Sequence, residues 1–144
     1  MIRKATLEDY KVVANLAHEL WNDCELDKLE NEFQEHLSSS DMVIYIDYQD
    51  MNPIAFVECS LRYDYVEGTD TTPVAYLEGI YVKEEYRLKK IASKLVEHCQ
   101  NWAREKGCSW FASDCELENN TSFQFHKKIG FQEVNRIICF TQRL

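Results

Sequence analysis

Between Thr6 and Trp21 the apolar residues Val12, Val13, Leu16, Ala17 and Leu20 recur at helical spacing. The spacing predicts a first helix opened by Thr6, with Asp9 three residues on as a shorter relative of the capping-box partner. Met1 to Ala5 reads as an edge strand ahead of it. A second helical stretch, Leu26 to Leu37, carries Asp27, Glu30, Glu32 and Glu35 and ends in the polar loop Ser38-Ser39-Ser40-Asp41. From Met42 the period drops to that of a strand. Met42 to Tyr48 is β-branched and aromatic, and Gln49 to Pro53 is a turn. Ile54 to Tyr65 then alternates, with Val57, Cys59, Leu61, Tyr63 and Tyr65 on one face and Glu58, Ser60, Arg62 and Asp64 on the other. After a polar connection, Val74 to Val82 is the next strand, and the two are expected to pair as an antiparallel hairpin. Lys90 to Lys106 returns to the helical period: Ile91, Ala92, Leu95, Val96, Cys99, Trp102 and Ala103 form one stripe, and Gly107 stops it. Trp110 to Asp114 is a short strand, Asn119 to Ile129 a helix closed by Gly130, and Phe131 to Thr141 a last strand. The order β-α-α-β-β-β-α-β-α-β predicts an α/β fold in which a mixed central sheet is flanked by helices.

Length and charge narrow this picture. A chain of 144 residues is expected to form one domain over its whole length. It carries 25 acidic and 16 basic residues, a formal charge of −9. That balance argues against nucleic acid, whose phosphates demand a basic face. It suits a polycation drawn to an acidic cleft, and equally a surface that is acidic for solubility. No apolar run approaches the ~18 residues that span a bilayer. Met1-Ile2-Arg3-Lys4 leads straight into a charged segment without a signal peptide, so a cytoplasmic protein is expected. The cysteines at 24, 59, 99, 108, 115 and 139 show no C-x-x-C spacing, and no histidine pair has ligand spacing. The expectation is no metal site and mostly buried, reduced thiols.

Five places carry candidate chemistry. Arg87 to Ala92 opens the long helix and would present successive backbone amides to a phosphate, with Arg87, Lys89 and Lys90 adding charge. A basic helix start exposed to solvent reads the same way, although basic residues there oppose the macrodipole and an anion would relieve the conflict. Gly79, inside a strand, marks a bulge or a close backbone approach. A bulge would splay the strand, leaving Glu78, expected on one face with Ile80 and Val82, to bind an ammonium or take its proton. A plain strand glutamate facing solvent is the alternative. Asp114 ends its strand, where ligand sites and turns both occur. Asn119, Ser122 and His126 share a helical face while Phe125 and Ile129 turn to the core, and His126 could protonate a thiolate or simply be solvated. Trp21, Tyr63 and Tyr65 could wall a sugar or a cation, or serve as core.

Arg87-Leu88-Lys89-Lys90-Ile91-Ala92 resembles the acetyl-CoA motif of the Gcn5-related N-acetyltransferases, with Lys90 where glycine is usual. Asn119-x-x-Ser122-x-x-x-His126-Lys127-Lys128-Ile129-Gly130-Phe131 resembles that superfamily's later signature. A narrower match, over Leu61 to Thr69, Pro73, Leu77 to Val82 and Ala112 to Asp114, is similar to the short aminoglycoside 6′-N-acetyltransferases, which also carry a histidine before Gly-Phe. The resemblance implies acetyl transfer from acetyl-CoA, without a metal, to the 6′-amine of an aminoglycoside, and so antibiotic resistance. It implies that Trp21, Tyr65, Glu78 and Asp114 bind the drug, with Glu78, Asp114 and His126 as the catalytic candidates. It lays acetyl-CoA against Ile80, Tyr81 and Val82, then Arg87, Leu88, Lys89, Lys90, Ile91 and Ala92, with Asn119 near the pantetheine arm. A glutamate that contacts the antibiotic in the family falls on Asn135 here. The resemblance further implies a homodimer in which a partner chain can supply cleft residues. Acetylation of another polyamine or of a protein amine, and a CoA-binding sensor without turnover, are the rival readings.

Overall fold

The computed structural model describes residues 1–144 and is divided by a five-stranded sheet of order β1-β2-β3-β4-β5. β1 (Ile2–Lys4), β2 (Met42–Gln49), β3 (Asn52–Arg62) and β4 (Val74–Val82) run antiparallel to their neighbours, and β5 (Phe111–Ala112) runs parallel to β4. The sheet is mixed, as the pattern predicts. One face is covered by α1 (Tyr10–Leu20) and α2 (Leu26–Ser38), whose Val13, Leu16, Ala17, Leu29 and Phe33 pack on Ile44, Ile46 and Phe56. The other is covered by α3 (Ile91–Glu105), whose Leu95, Val96, Cys99 and Trp102 pack on Val43, Val57, Cys59 and Leu77. α4 (Asn120–Lys128) lays Phe125 against this second core, joined by Ile129 just beyond its end.

The entry to α1 forms by the expected local chemistry. Asp9 reaches back to accept the Thr6 backbone N–H at 2.7 Å. A single 3-10 turn, Leu7–Asp9, precedes the α-helix proper. Arg3 clamps Asp9 from β1 with two hydrogen bonds of 2.8 Å.

Four expectations are corrected. Phe131 to Thr141 forms no strand in this chain, and beyond Phe131 no backbone group bonds another. A strand exists only by pairing, and here no strand lies beside this segment, so Val134, Ile137, Ile138 and Phe140 stand exposed. β3 stops at Arg62 because its partner β4 begins opposite, at Val74, and Tyr63 and Tyr65 fall in the loop beyond. Only Cys59 and Cys99 are buried, whereas Cys24 and Cys139 are exposed. Finally, Glu78 does not share a face with Ile80 and Val82. The register jumps from Glu58 opposite Gly79 to Cys59 opposite Leu77, leaving Glu78 as an unpaired bulge residue. The extra residue inverts the alternation. Ile80 and Val82 join the α3 core, and Glu78 turns to the α1–α2 face with Ser60 and Arg62.

Candidate active site

Two openings meet at the bulge in β4. The first is a cleft of about 450 Å³ on the α1–α2 face, lined by Trp21, Glu32, His36, Met42, Glu58, Ser60, Arg62 and Glu78. Trp21 closes α1, its N–H bonded to the Ala17 carbonyl, and sets its ring edge-on to Phe56 at 6.4 Å. A Cβ on residue 79 would come within 2.8 Å of the Trp21 ring. Glycine is therefore required here by the close approach of an aromatic wall to the strand. Glu78 is held firmly. Its Oε1 accepts from Ser60 Oγ at 2.6 Å and from Arg62 Nε and Nη2 at 3.0 and 2.9 Å, while Oε2 accepts only from Arg62 Nη2, at 2.9 Å. Oε2 thus keeps acceptor capacity for a cation in the cleft.

The second opening is the parting of β4 from β5. Their ladder holds only Ala75 with Phe111 and Tyr76 with Ala112, so the strands separate from Leu77 onward. At the parting the Ser113 hydroxyl bonds His126 Nε2 at 2.7 Å, and His126 Nδ1 faces the Ser122 carbonyl at 2.7 Å. A carbonyl needs a donor, so Nδ1 carries a proton. Asp114 follows directly and accepts a short hydrogen bond from the Tyr76 hydroxyl. Burial, then this bond, push the Tyr76 hydroxyl well above its ordinary range. The Arg62 guanidinium stacks on the Tyr76 ring at 3.4 Å, so Glu78, Arg62, Tyr76 and Asp114 form one continuous row between the two openings.

The turn into α3 lies beyond the far end of β4. Arg87 Nε donates to the Val82 carbonyl at 2.9 Å. Leu88 and Lys90 adopt left-handed backbone at φ 65° and 60°, which is why glycine suits position 90 in the related motif. The amides of Ile91, Ala92 and Ser93 begin the helix and have no carbonyl behind them. Such a helix start, with Arg87, Lys89 and Lys90 beside it, fits a pyrophosphate. Tyr81 faces away from Ile80 and Val82, its hydroxyl bonded to Glu19 at 2.8 Å and pushed up to about 12 by burial and then by that carboxylate. Asn119 caps α4, its Oδ1 accepting the Ser122 N–H at 3.0 Å.

The structure thus brings Trp21 and Glu78 into one cleft and joins Asp114 to it through Tyr76 and Arg62. Tyr65 stands apart, 78% exposed in the loop after β3. Glu58, Ser60, Arg62, His36 and Tyr76 were not singled out from sequence. The signal was present in part: Glu58, Ser60 and Arg62 alternate along a strand that proves central, where charged side chains need a reason.

Residues 6–131 match the family model "Acetyltransferase (GNAT) family". The chain is 36% identical over 141 residues to an aminoglycoside N(6')-acetyltransferase type 1 of Acinetobacter haemolyticus, covering 98% of this chain and 94% of that one. It is 41% identical over 126 residues to the enzyme of the same name from Acinetobacter genomosp. 13, covering 87% and 86%. Among solved structures, AAC(6')-Iy in complex with the bisubstrate analog CoA-S-monomethyl-acetylneamine superposes with a TM-score of 0.95 at 33% identity, covering 100% of this chain and 98% of that one. The apo aminoglycoside 6'-N-acetyltransferase AAC(6')-IG from Acinetobacter haemolyticus gives 0.95 at 33% identity, covering 100% and 99%.

Proposed function

The chain belongs to the acetyltransferase (GNAT) family, and from that premise we propose that it transfers acetyl from acetyl-CoA to the 6′-amino group of aminoglycoside antibiotics. The observation that carries this reading is the junction at Gly79. There an acidic, Trp-walled cleft reaches the bulge in β4, the strand that parts from β5 after Tyr76 and leads on to an uncapped α3 N-terminus. A thioester donor needs the second feature and a polycation needs the first.

The chemistry follows from the groups present. An aminoglycoside amine arrives as an ammonium and must lose a proton before it attacks. Glu78 Oε2 is assigned to hold it and, directly or through water, to take that proton. Asp114 supplies a second carboxylate to the drug. Trp21 gives the sugar a flat wall, and Tyr65, on its exposed loop, is assigned a second ring contact with the drug. The pyrophosphate of acetyl-CoA is assigned to Arg87 through Ala92 (Leu88, Lys89, Lys90 and Ile91 between them). The pantetheine arm lies along the backbone of Ile80, Tyr81 and Val82, with Asn119 across from it. A backbone N–H near Val82 polarises the thioester carbonyl. For the departing thiolate, His126 is assigned as the proton source: the Ser113 hydroxyl passes its proton to sulfur as it takes the Nε2 proton of the imidazolium, leaving a neutral imidazole, and a water can deliver the proton equally well. Holding both substrates together supplies much of the rate. Acetylation removes a positive charge from the drug and weakens its hold on ribosomal RNA, which confers resistance.

Two assembly-level readings go with this. We infer a homodimer: the apolar run Val134, Ile137, Ile138 and Phe140 has unpaired backbone and no cover in a single chain. We also infer a cytoplasmic enzyme, because its donor is made there and its drug acts there; no helix of the chain is long and apolar enough to cross a membrane.

The test is CoA release, followed with a thiol reagent, from wild type, Glu78→Gln and Asp114→Asn. Kanamycin-class drugs are expected to exceed spermidine and peptide amines. Either substitution is expected to lower turnover about 100-fold while acetyl-CoA binding persists. Absence of turnover with every amine would leave only a CoA-binding protein.

A further inference from the structure

Three acidic side chains are buried: Asp9, Asp47 and Glu58. Two meet cationic groups other than imidazole, Arg3 for Asp9 and the N-terminal amine for Asp47. Glu58, only 3% exposed, has none. Its Oε1 faces His36 Nδ1, and neither atom has another partner. A buried carboxylate without a fixed counter-charge is costly, and an imidazole supplies that charge only while it is protonated.

The position of Glu58 gives this weakness a use. It stands on the central strand β3 directly opposite Gly79, at the bulge that turns Glu78 into the cleft. Glu58, His36 and Glu78 line the same cleft. His36 enters from α2, its ring edge-on to Phe33 at 5.7 Å and its Nε2 3.7 Å from Glu32 Oε1. The acidic groups facing it are Glu58 from β3 and Glu32 and Glu35 from its own helix. Lys4 of β1 and Lys106, just past α3, line the cavity on its far side. The acids prevail: the hydrogen bond to Glu58, opposed by burial and aided by the nearby carboxylates, raises the His36 pKa.

We propose that Glu58 is a specificity-determining residue that takes a second ammonium group of the bound polyamine at the inner end of the cleft, in exchange for the charge on His36. This rests on the aminoglycoside reading and adds to it a second point of recognition, away from the acetylated amine. The exchange balances: imidazolium and free ammonium become neutral imidazole, a Glu58-bound ammonium and one proton released to solvent. Affinity for a polycation therefore rises with pH through the His36 titration, until the drug's own amines lose their charge. Reciprocally, bound drug lowers the His36 midpoint.

The full-length protein, with neamine as probe, tests this by imidazole NMR, in which His36 is one of four histidines. In wild type, saturating neamine is expected to lower the His36 midpoint by about one pH unit or more. In Glu58→Gln the midpoint returns toward the ordinary histidine range and ignores neamine. The neamine KM of this variant rises about tenfold near neutral pH, with the acetyl-CoA KM unchanged. Should that variant fold poorly, His36→Gln serves instead: its neamine KM loses the pH dependence seen in wild type. A wild type that acetylates neamine while its His36 midpoint stays fixed overturns the inference and leaves the reaction standing. A midpoint that moves in a protein that acetylates nothing does the reverse.

Discussion

Arg3 meets Asp9 at 2.8 Å through both terminal nitrogens, and Arg62 meets Glu78 at 2.9–3.0 Å. The chemistry is the same and the surroundings are not. The Asp9 side chain is 11% exposed and takes a third hydrogen bond from the Thr6 N–H. Arg3 also meets the Tyr48 hydroxyl at 3.0 Å, with the Tyr48 ring 4.9 Å away. Its own side chain is 40% exposed, much like that of Arg62, but both Asp9 oxygens are already taken. The Glu78 side chain is 28% exposed, sits on a bulge and fronts a cleft. Its arginine is stacked on Tyr76 but open on the solvent side. A saturated ion pair is structural, whereas one with an oxygen to spare beside a cavity can accept a further cation.

The sharpest way to break that contrast is to neutralise each acid. Glu78→Gln is expected to lose about 100-fold or more in turnover yet keep its unfolding free energy within about 1 kcal/mol, since an exposed ion pair contributes little. Asp9→Asn is expected to retain turnover within about twofold and to lose about 1–2 kcal/mol of stability, as a nearly buried carboxylate loses charge-assisted hydrogen bonds from Arg3 and the Thr6 cap. Turnover assays and urea melts on the two variants decide it. If both variants lose stability alike and activity alike, the two pairs are not different in kind.

The two regions were unequally legible in the sequence. Around Asp9 everything is local: Thr6 and Asp9 are three residues apart, and the cap could be read directly. Around Glu78 the bulge itself could be read, because a glycine in a strand interior has few other uses. Its consequence could not, since the side to which Glu78 turns depends on which residue of β3 skips its partner. Arg62 and Ser60 reach Glu78 across sixteen and eighteen residues of chain, a relation no periodicity encodes. His36 and Glu58 are hidden for the same reason, one on a helix and one on a strand. The missing last strand is a different case. Its apolar, β-branched content is real, but composition states only that a segment can pair, not that this chain holds the partner.

Gly79→Ala comes next in expected effect and probes the open region alone. The added methyl would lie 2.8 Å from Trp21 Cη2 and 3.1 Å from Cζ2, so the indole must move against Phe56 or into the cleft. Overpacking of this kind costs about 1–3 kcal/mol. The aminoglycoside KM is expected to rise about tenfold with the acetyl-CoA KM unaffected, because the ring walls only the drug side. Equal increases in both KM values would mean that the bulge, and not the wall, had been disturbed.

The closed pair also has a pH signature. Hydrogen bonds from Arg3, outweighing burial, lower the Asp9 carboxyl from 3.8 to about 2. A depressed carboxylate stabilises the fold above its unfolded pKa, and that contribution is lost as pH falls through the folded one. Stability is therefore expected to fall by about 2 kcal/mol between roughly pH 4 and pH 2 in wild type. Asp9→Asn removes this component of the acid slope. Urea melts across that window, with Glu78→Gln as the reference, isolate it.

The smallest expected effect concerns strain, which the open region carries and the closed one does not. Lys90 holds left-handed backbone at the start of α3, and Leu88 does so two residues earlier. An L-residue there is disfavoured by about 1–2 kcal/mol. Lys90→Gly relieves that but frees the unfolded chain, so the net gain is expected to be only about 0.5 kcal/mol. The informative measurement is CoA affinity by calorimetry, with Lys90→Ala beside it. Both variants lose the ammonium, but only glycine adopts the turn without strain. If the backbone amides at the α3 start hold the pyrophosphate, both variants bind CoA close to wild type, Lys90→Gly at least as tightly as Lys90→Ala. If the lysine charge is the main contact, the two variants weaken together, and the phosphate site is built from side chains instead of the helix start.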